Sequence, residues 1–143
     1  VANVADFCNQ CGNCVTFCPT AGAPWRDKPR FWHDPEGFAR AEGDAFRMER
    51  TAGAFVLEAR LSGTTHRLES RTGRLEYRTE RFLARFDPAT RALLDVEPTA
   101  PLANGEPVDL APAATLLFLM GSGLPSTLCE PERSSASGAG RPR

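Results

Sequence analysis

The chain has 143 residues, which is enough for one domain with a modest core or for two small pieces. Its formal net charge of −1 gives no bulk positive field, so we expect neither nucleic acid nor a membrane surface as a partner. Its longest apolar run, around residues 116–120, is far too short to cross a bilayer, and no signal peptide is visible. Reduced cysteines without an export signal predict a cytoplasmic location.

Four of the five cysteines form one short run near the start of the chain. Cys8, Cys11, Cys14 and Cys18, followed by Pro19, have the spacing C-x2-C-x2-C-x3-C-P, which is typical of bacterial ferredoxins. Four thiolates in one loop can wrap a compact cubane, because such a cluster offers several iron corners to neighbouring residues. The run therefore predicts a [4Fe–4S] cofactor with these four cysteines as its metal ligands.

The residues among and beside the cysteines agree with this prediction. Gly12 allows the tight curl that turns successive sulfurs inward, and Pro19 disfavours a helical backbone at Cys18, which we expect to be extended. Phe7 and Phe17 flank the loop. We expect them to keep water off the cluster and so tune its potential, to pack in a small core, or to do both.

Zinc and disulfides are the competing uses of these cysteines. Structural zinc sites usually pair two C-x2-C knuckles across a spacer of about a dozen residues or more, which this run lacks. Disulfides between cysteines so close in sequence would be strained. The spacing therefore favours a cluster, with zinc as the remaining alternative.

The number of clusters is open from spacing alone. In two-cluster ferredoxins the fourth cysteine of each run serves the other cluster, so Cys18 would bind a second cluster. This chain has no second run, and Cys129 lies far away near a Pro/Ser-rich tail. Either Cys18 closes the same cluster, or the partner run lies on sequence outside this chain. The start at Val1, so close to the motif, predicts a fragment of a longer protein.

The cysteine run and the residues after it carry a family resemblance. The run D-F-C-N-Q-C-G-N-C-V-T-F-C-P at residues 6–19, followed by G-A-P-W-R-D-K at residues 22–28, resembles the C-terminal region of the family called "putative selenate reductase". The pattern of that family is close to C-N-E-C-G-N-C-x-T-F-C-P and then G-x-P-Y-R-D-K. This chain differs at Gln10 and Trp25, where the family has Glu and Tyr.

The resemblance implies that this chain is a C-terminal fragment of a large flavin and iron–sulfur subunit, related to the glutamate synthase small subunit and dihydropyrimidine dehydrogenase. It implies a first cysteine run upstream, which would assign Cys18 to a second [4Fe–4S] cluster. It also implies that the flavin and NAD(P)H sites lie on upstream sequence. The expected partners are then the rest of the parent chain and its redox partner subunits. Selenate as the substrate is implied only by the label of the family.

Four segments are expected along the chain. Residues 1–33 form a 4Fe–4S ferredoxin-type segment, residues 34–52 a connector with at most one short helical turn, residues 53–121 a strand-rich part, and residues 122–143 a disordered tail. The expected fold class is α+β, with a ferredoxin-like cysteine loop followed by a small antiparallel meander and one covering helix.

Period-two alternation predicts the strands of the meander at residues 55–61, 65–70, 75–79 and 92–96. Residues 75–86 also fit one face of a helix, so the strand there has an alternative. Asp109 is a candidate cap for a helix that runs to Met120 and ends at Gly121.

The remaining polar residues give no catalytic site. Arg is abundant between residues 47 and 91, but Glu is interleaved with it, which predicts a solvated strand face of mixed charge. His33 and His66 are lone histidines without ligand partners at a suitable spacing, so we expect a surface or packing role for each. No Ser/His/Asp set or phosphate-binding loop stands out.

The sequence therefore predicts one-electron transfer through [4Fe–4S] chemistry, with substrate chemistry carried out elsewhere in a larger oxidoreductase. The alternative is a binding or structural module in which a cluster, or zinc, only stabilises the loop.

Overall fold

The computed structural model of the chain describes residues 3–18, 22–28, 30–51, 54–103 and 105–122. The predictions about Cys129 and about residues 123–143 of the tail lie outside these ranges. The described residues form one sheet whose strands are β1 (Asn3–Val4), β2 (Arg30–Trp32), β3 (Ala45–Thr51), β4 (Ala54–Leu61), β5 (Thr64–Arg71), β6 (Arg74–Arg78), β7 (Phe82–Phe86) and β8 (Leu93–Pro98). The helices are α1 (Asn13–Phe17), α2 (Pro24–Asp27), α3 (Pro35–Arg40) and α4 (Ala111–Gly121), with a 3₁₀ turn at Ala5–Phe7.

The sheet is mixed, and its strands lie in chain order from β1 to β8. β1, β2 and β3 are parallel neighbours, and Phe31 of β2 lies opposite Val4 on one side and Phe46 on the other. β3 to β8 are antiparallel neighbours. Parallel strands need a crossover connection, and the one between β1 and β2, residues 5–29, contains the cysteine run. The run is therefore held at the β1 end of the same sheet that the later strands form.

The strands predicted from alternation are present as β4, β5, β6 and β8. Residues 75–86 form two strands rather than a helix. Thr79 Oγ1 accepts the backbone N–H groups of Arg81 and Phe82, each at 3.2 Å, and so turns the chain between β6 and β7. The helical alternative for this segment is wrong.

α4 packs on the buried face of the sheet, where the sequence predicted a covering helix. Leu57, Leu68 and Tyr77 of the sheet are fully buried, as is Leu116 of the helix. The capping position is Leu110 rather than Asp109, although Asp109 Oδ1 accepts the N–H of Ala111 at 2.8 Å. No helix in the described part of the chain is long and apolar enough to span a membrane.

The opposite face of the sheet carries paired Arg and Glu side chains. Glu58 of β4 lies between Arg47 of β3, at 3.0 Å, and Arg67 of β5, at 2.8 Å. Glu76 of β6 contacts three arginines, Arg71, Arg74 and Arg85. The predicted mixed charge of a strand face is confirmed, but the face is only partly solvated, since the side chains of Arg47 and Glu76 are 16% and 11% exposed. Opposite charges on adjacent strands neutralise one another.

The prediction of a connector at residues 34–52 is wrong for most of that segment. It contains α3 and β3, and β3 pairs with strands on both of its sides. Asp34 caps α3, because its Oδ2 accepts the N–H of Gly37 at 2.7 Å. Phe46 and Met48 of β3 are buried, while Glu49, the next residue of the strand, is exposed. This period of two was present in the sequence and identifies the strand.

Candidate metal centre

The cysteine run begins directly after β1 and the 3₁₀ turn that follows it. Asn3 of β1 donates from Nδ2 to Cys8 Sγ at 3.4 Å, and the backbone N–H of Cys8 donates to the Ala5 carbonyl at 3.1 Å. Asp6 Oδ2 accepts the backbone N–H of His33 at 2.6 Å, across the crossover. The first cysteine is thus positioned by the edge of the sheet.

A tight turn separates Cys11 from Cys14. Gln10 and Gly12 have φ values of 55° and 80°, in the left-handed region, and Asn9 Oδ1 accepts the N–H of Cys11 at 3.2 Å. Gly12 also occupies the capping position of α1. The expected curl at Gly12 is confirmed, since a positive φ is readily adopted by glycine.

Cys14 lies in α1, and Cys18 ends it with an extended backbone, at φ −70° and ψ 118°. The prediction of an extended Cys18 is therefore confirmed. Cys8 and Cys18 are half-buried, whereas Cys11 and Cys14 are exposed.

Cys8, Cys11 and Cys14 line one cavity of about 370 Å³, together with Asn3 and Trp25. Cys18 is not among the described residues that line it. In the described ranges, no three side chains of His, Cys, Asp or Glu come close enough to hold a metal ion. Cys8, Cys11 and Cys14 therefore line a common space without meeting at one point. The set of four metal ligands stays a prediction.

Two buried polar atoms beside this cavity have no hydrogen-bond partner within the described part of the chain: Trp25 Nε1 and Asn3 Oδ1. A buried N–H without an acceptor is costly, and the sulfur atoms of a cluster in the adjoining cavity would be acceptors for it. The Trp25 N–H thus fits a group with sulfur acceptors, whereas Asn3 Oδ1 is itself an acceptor and would need a donor.

α2 sets the position of Trp25. Asp27 Oδ2, at the end of this helix, accepts the N–H of Ala23 before it at 2.7 Å, which closes the turn. The hydrogen bond from Arg26 and that from the Ala23 backbone lower the pKa of Asp27 to about 2. Asp27 is therefore ionised throughout the neutral range and keeps the turn that presents Trp25. Sequence spacing gave no sign of this role for Trp25.

Phe7 and Phe17 do not shield the cysteines from water. Both side chains are 83% exposed, so the expectation that they exclude water or pack in a core is wrong. Phe7 lines the edge of the cavity and contacts the ring of His33, with centroids 6.0 Å apart. His33 is exposed and His66 is buried against Tyr77, so each has the surface or packing role that was expected.

Comparison with known proteins finds similarity over only part of the chain. No protein-family model matches it, and no solved structure is significantly similar to it. Two relatives, from Escherichia coli strain K12 and Escherichia coli O157:H7, are each named "Putative oxidoreductase YgfK". Each is 37% identical over 43 residues, which is 30% of this chain and 4% of the relative. The chain thus spans a small fraction of these relatives, and the match relates it to proteins named as oxidoreductases.

Proposed function

We propose that this chain binds a [4Fe–4S] cluster and transfers single electrons within a larger, flavin-linked oxidoreductase similar to the "putative selenate reductase" family. The observation that carries the proposal is that Cys8, Cys11 and Cys14, in the spacing of a ferredoxin run, line one cavity. When bound, the cluster would accept and release one electron at a time. The relation of part of the chain to named oxidoreductases supports the same class of function.

The residues of the chain have separate tasks in this proposal. Cys8, Cys11 and Cys14 provide thiolate ligands. The Asn3 amide donates to Cys8 Sγ, which orients that ligand and stabilises its negative charge. The Trp25 N–H, which has no partner in the described part of the chain, would donate to a sulfur atom of the bound cluster. Each donor stabilises the more negative, reduced state and so raises the reduction potential.

Cys18 either closes the same cluster or binds a second one. Its absence from the described lining of the cavity favours a second cluster, as the family resemblance implies. The other ligands of that cluster, and the fourth ligand of the cluster at Cys8, Cys11 and Cys14, would then come from the parent chain. Flavin, NAD(P)H and the substrate, selenate or another, would also bind there, in the cytoplasm.

The proposal is tested by anaerobic reconstitution of the chain, followed by analysis of iron, acid-labile sulfide and zinc. We expect about four irons and four sulfides per bound cluster. Cys11→Ser should abolish this iron. If Cys18 closes this cluster, the chain alone should load fully and Cys18→Ser should lose the iron. If Cys18 serves a second cluster, the chain supplies three of the four ligands, so loading should be substoichiometric until upstream sequence is restored, and Cys18→Ser should not lower it further. Zinc without sulfide, under iron-replete and anaerobic conditions, would refute the iron–sulfur proposal.

A structural role for the cluster is the second candidate. α1, which carries Cys14, buries none of its residues, so the loop has little packing of its own to stabilise it. A bound cluster or zinc would then act as a staple that holds the loop to the sheet. Reversible reduction at low potential separates the two candidates, because a staple needs no accessible second oxidation state.

A further inference from the structure

A second cavity, of about 330 Å³, lies far along the chain from the cysteine run, between the sheet and the segment that leads into α4. Its volume falls within the range of small-molecule sites. The floor is formed by His66 of β5 and Tyr77 of β6, and the walls include Phe82, Leu102 and Val108. Electron transfer at the cysteines assigns no task to any of these residues.

The floor of this cavity carries a buried polar pair. His66 Nδ1 and Tyr77 Oη lie 2.6 Å apart, with His66 6% exposed and Tyr77 fully buried. The rings of His66, Tyr77 and Phe82 follow one another with centroids 5.9 and 5.8 Å apart. The pair uses one ring nitrogen of His66 in either tautomer and leaves the other nitrogen to a different partner. Tyr77 itself has no accessible surface, so the cavity offers a ligand the slightly exposed side chains of His66 and Phe82, together with the other ring nitrogen of His66.

The charges around the cavity select against anions. Asp109 and Glu80 line it, and Arg81 is the only Lys or Arg among its described lining residues. Arg81 already donates to Glu106 at 2.6 Å. Burial lowers the pKa of His66, against the opposing effect of Asp109, and burial together with Asp109 raises the pKa of Tyr77 to about 12. At neutral pH the pair is uncharged, and the carboxylate of Asp109 is the group that would accept from a ligand.

We infer that this cavity binds a small neutral or cationic aromatic ring compound that carries an N–H group. The ring would pack against Phe82, Leu102 and Val108, its N–H would donate to Asp109, and its remaining polar atom would meet the other ring nitrogen of His66. This inference is independent of the proposed iron–sulfur function, since none of these residues lines the cysteine cavity.

The test uses benzimidazole as the probe, with 1-methylbenzimidazole, which lacks the N–H, and benzoate, an anion, as controls. The chain has two histidines, so its imidazole C–H signals in NMR report on two places only. His66 reports on this cavity and His33 on the cysteine end. We expect saturable shifts at His66 alone, with a Kd of about 1 mM. The methylated probe should bind at least about tenfold more weakly, and benzoate should not compete.

Asp109→Asn is the matching variant, because Asp109 is exposed and asparagine keeps an acceptor for the Ala111 N–H. It should weaken benzimidazole binding about tenfold and leave 1-methylbenzimidazole unchanged. Glu42→Gln, at an exposed acid outside the cavity, should change neither. Absence of a saturable shift at His66, equal binding of the two benzimidazoles to the unmodified chain, or an unchanged affinity in Asp109→Asn would each overturn the inference.

Discussion

Trp25 lines the cavity that three cysteines line, and its indole N–H is buried without a partner in the described part of the chain. Its role was not predictable from spacing, because an orphaned donor is visible only once the surrounding chain is in place. Phe7 and Phe17 show the converse, since their apolar character predicted burial and the crossover leaves both in solvent. Cysteine spacing and the positive φ of Gly12 are local properties, and for that reason the sequence alone indicated them.

Replacing Trp25 with phenylalanine should lower the reduction potential of the bound cluster. The change keeps an aromatic ring and removes the N–H donor, so the reduced state loses roughly 1 kcal/mol of stabilisation, about 40 mV for one electron. Trp32→Phe is the matched control, because its Nε1 is also buried without a described partner but Trp32 is not a described lining residue. Redox titration followed by EPR gives both potentials. Equal potentials in all three proteins would remove Trp25 from this role.

Gly12→Ala should destabilise the fold and speed the loss of iron. No other described atom lies within 4 Å of the added methyl group, so the cost is the backbone strain at φ 80°, about 1–2 kcal/mol. Gly63→Ala, in the turn between β4 and β5, has φ 81° and the same open surroundings. It should cost as much in urea unfolding without changing the rate at which a chelator removes iron. Faster iron loss in both variants would show that global stability, and not the cysteine turn, controls retention.

The strands and helices differ in how far sequence determines them. β4, β5 and β6 could be predicted because each alternates and is bounded by a turn, as at Ser62 and Gly63, whose positive φ values suit a hairpin. β1 and β2 have two and three residues, too few for a period. They form because β2 pairs with β3 and β1 pairs in turn with β2. Apolar and polar residues do alternate in β3, but the Pro/Gly-rich sequence before it favoured a connector.

The charged face of the sheet should depend on Glu76 more than on any exposed carboxylate. Its side chain is 11% exposed and contacts three arginines, so Glu76→Gln should lower the free energy of unfolding by about 2 kcal/mol. Glu36→Gln, at a carboxylate of α3 that is 79% exposed and pairs with Arg40, should cost at most about 0.5 kcal/mol. Urea unfolding of both variants measures the difference, and added salt should reduce it. If both variants lost a similar free energy of unfolding, the network of Arg and Glu contacts on this face would add nothing beyond isolated ion pairs.

At the scale of the whole molecule, the cysteine cavity and the cavity at His66 lie at different parts of the sheet. The first lies in the crossover between β1 and β2, and the second lies between β5, β6 and the approach to α4. Apart from Phe31 of β2, the core cluster comes from α4 and the antiparallel strands, so the crossover itself adds little to it. Loss of metal should therefore change the crossover far more than the meander, as hydrogen exchange of the two regions would show. If both regions lost hydrogen-exchange protection equally, the result would instead favour a cluster or zinc ion that only stabilises the fold.

Reversible reduction of the reconstituted chain is the most direct test of electron transfer. The measurement is an EPR-monitored redox titration of anaerobically loaded protein, with Cys11→Ser as the blank. We expect the signal of a reduced [4Fe–4S] cluster to appear at low potential and to disappear on reoxidation, with iron and sulfide retained through the cycle. A loaded protein that shows no reduction at accessible potentials, and that unfolds only when its metal is removed, would contradict electron transfer and leave a structural metal site.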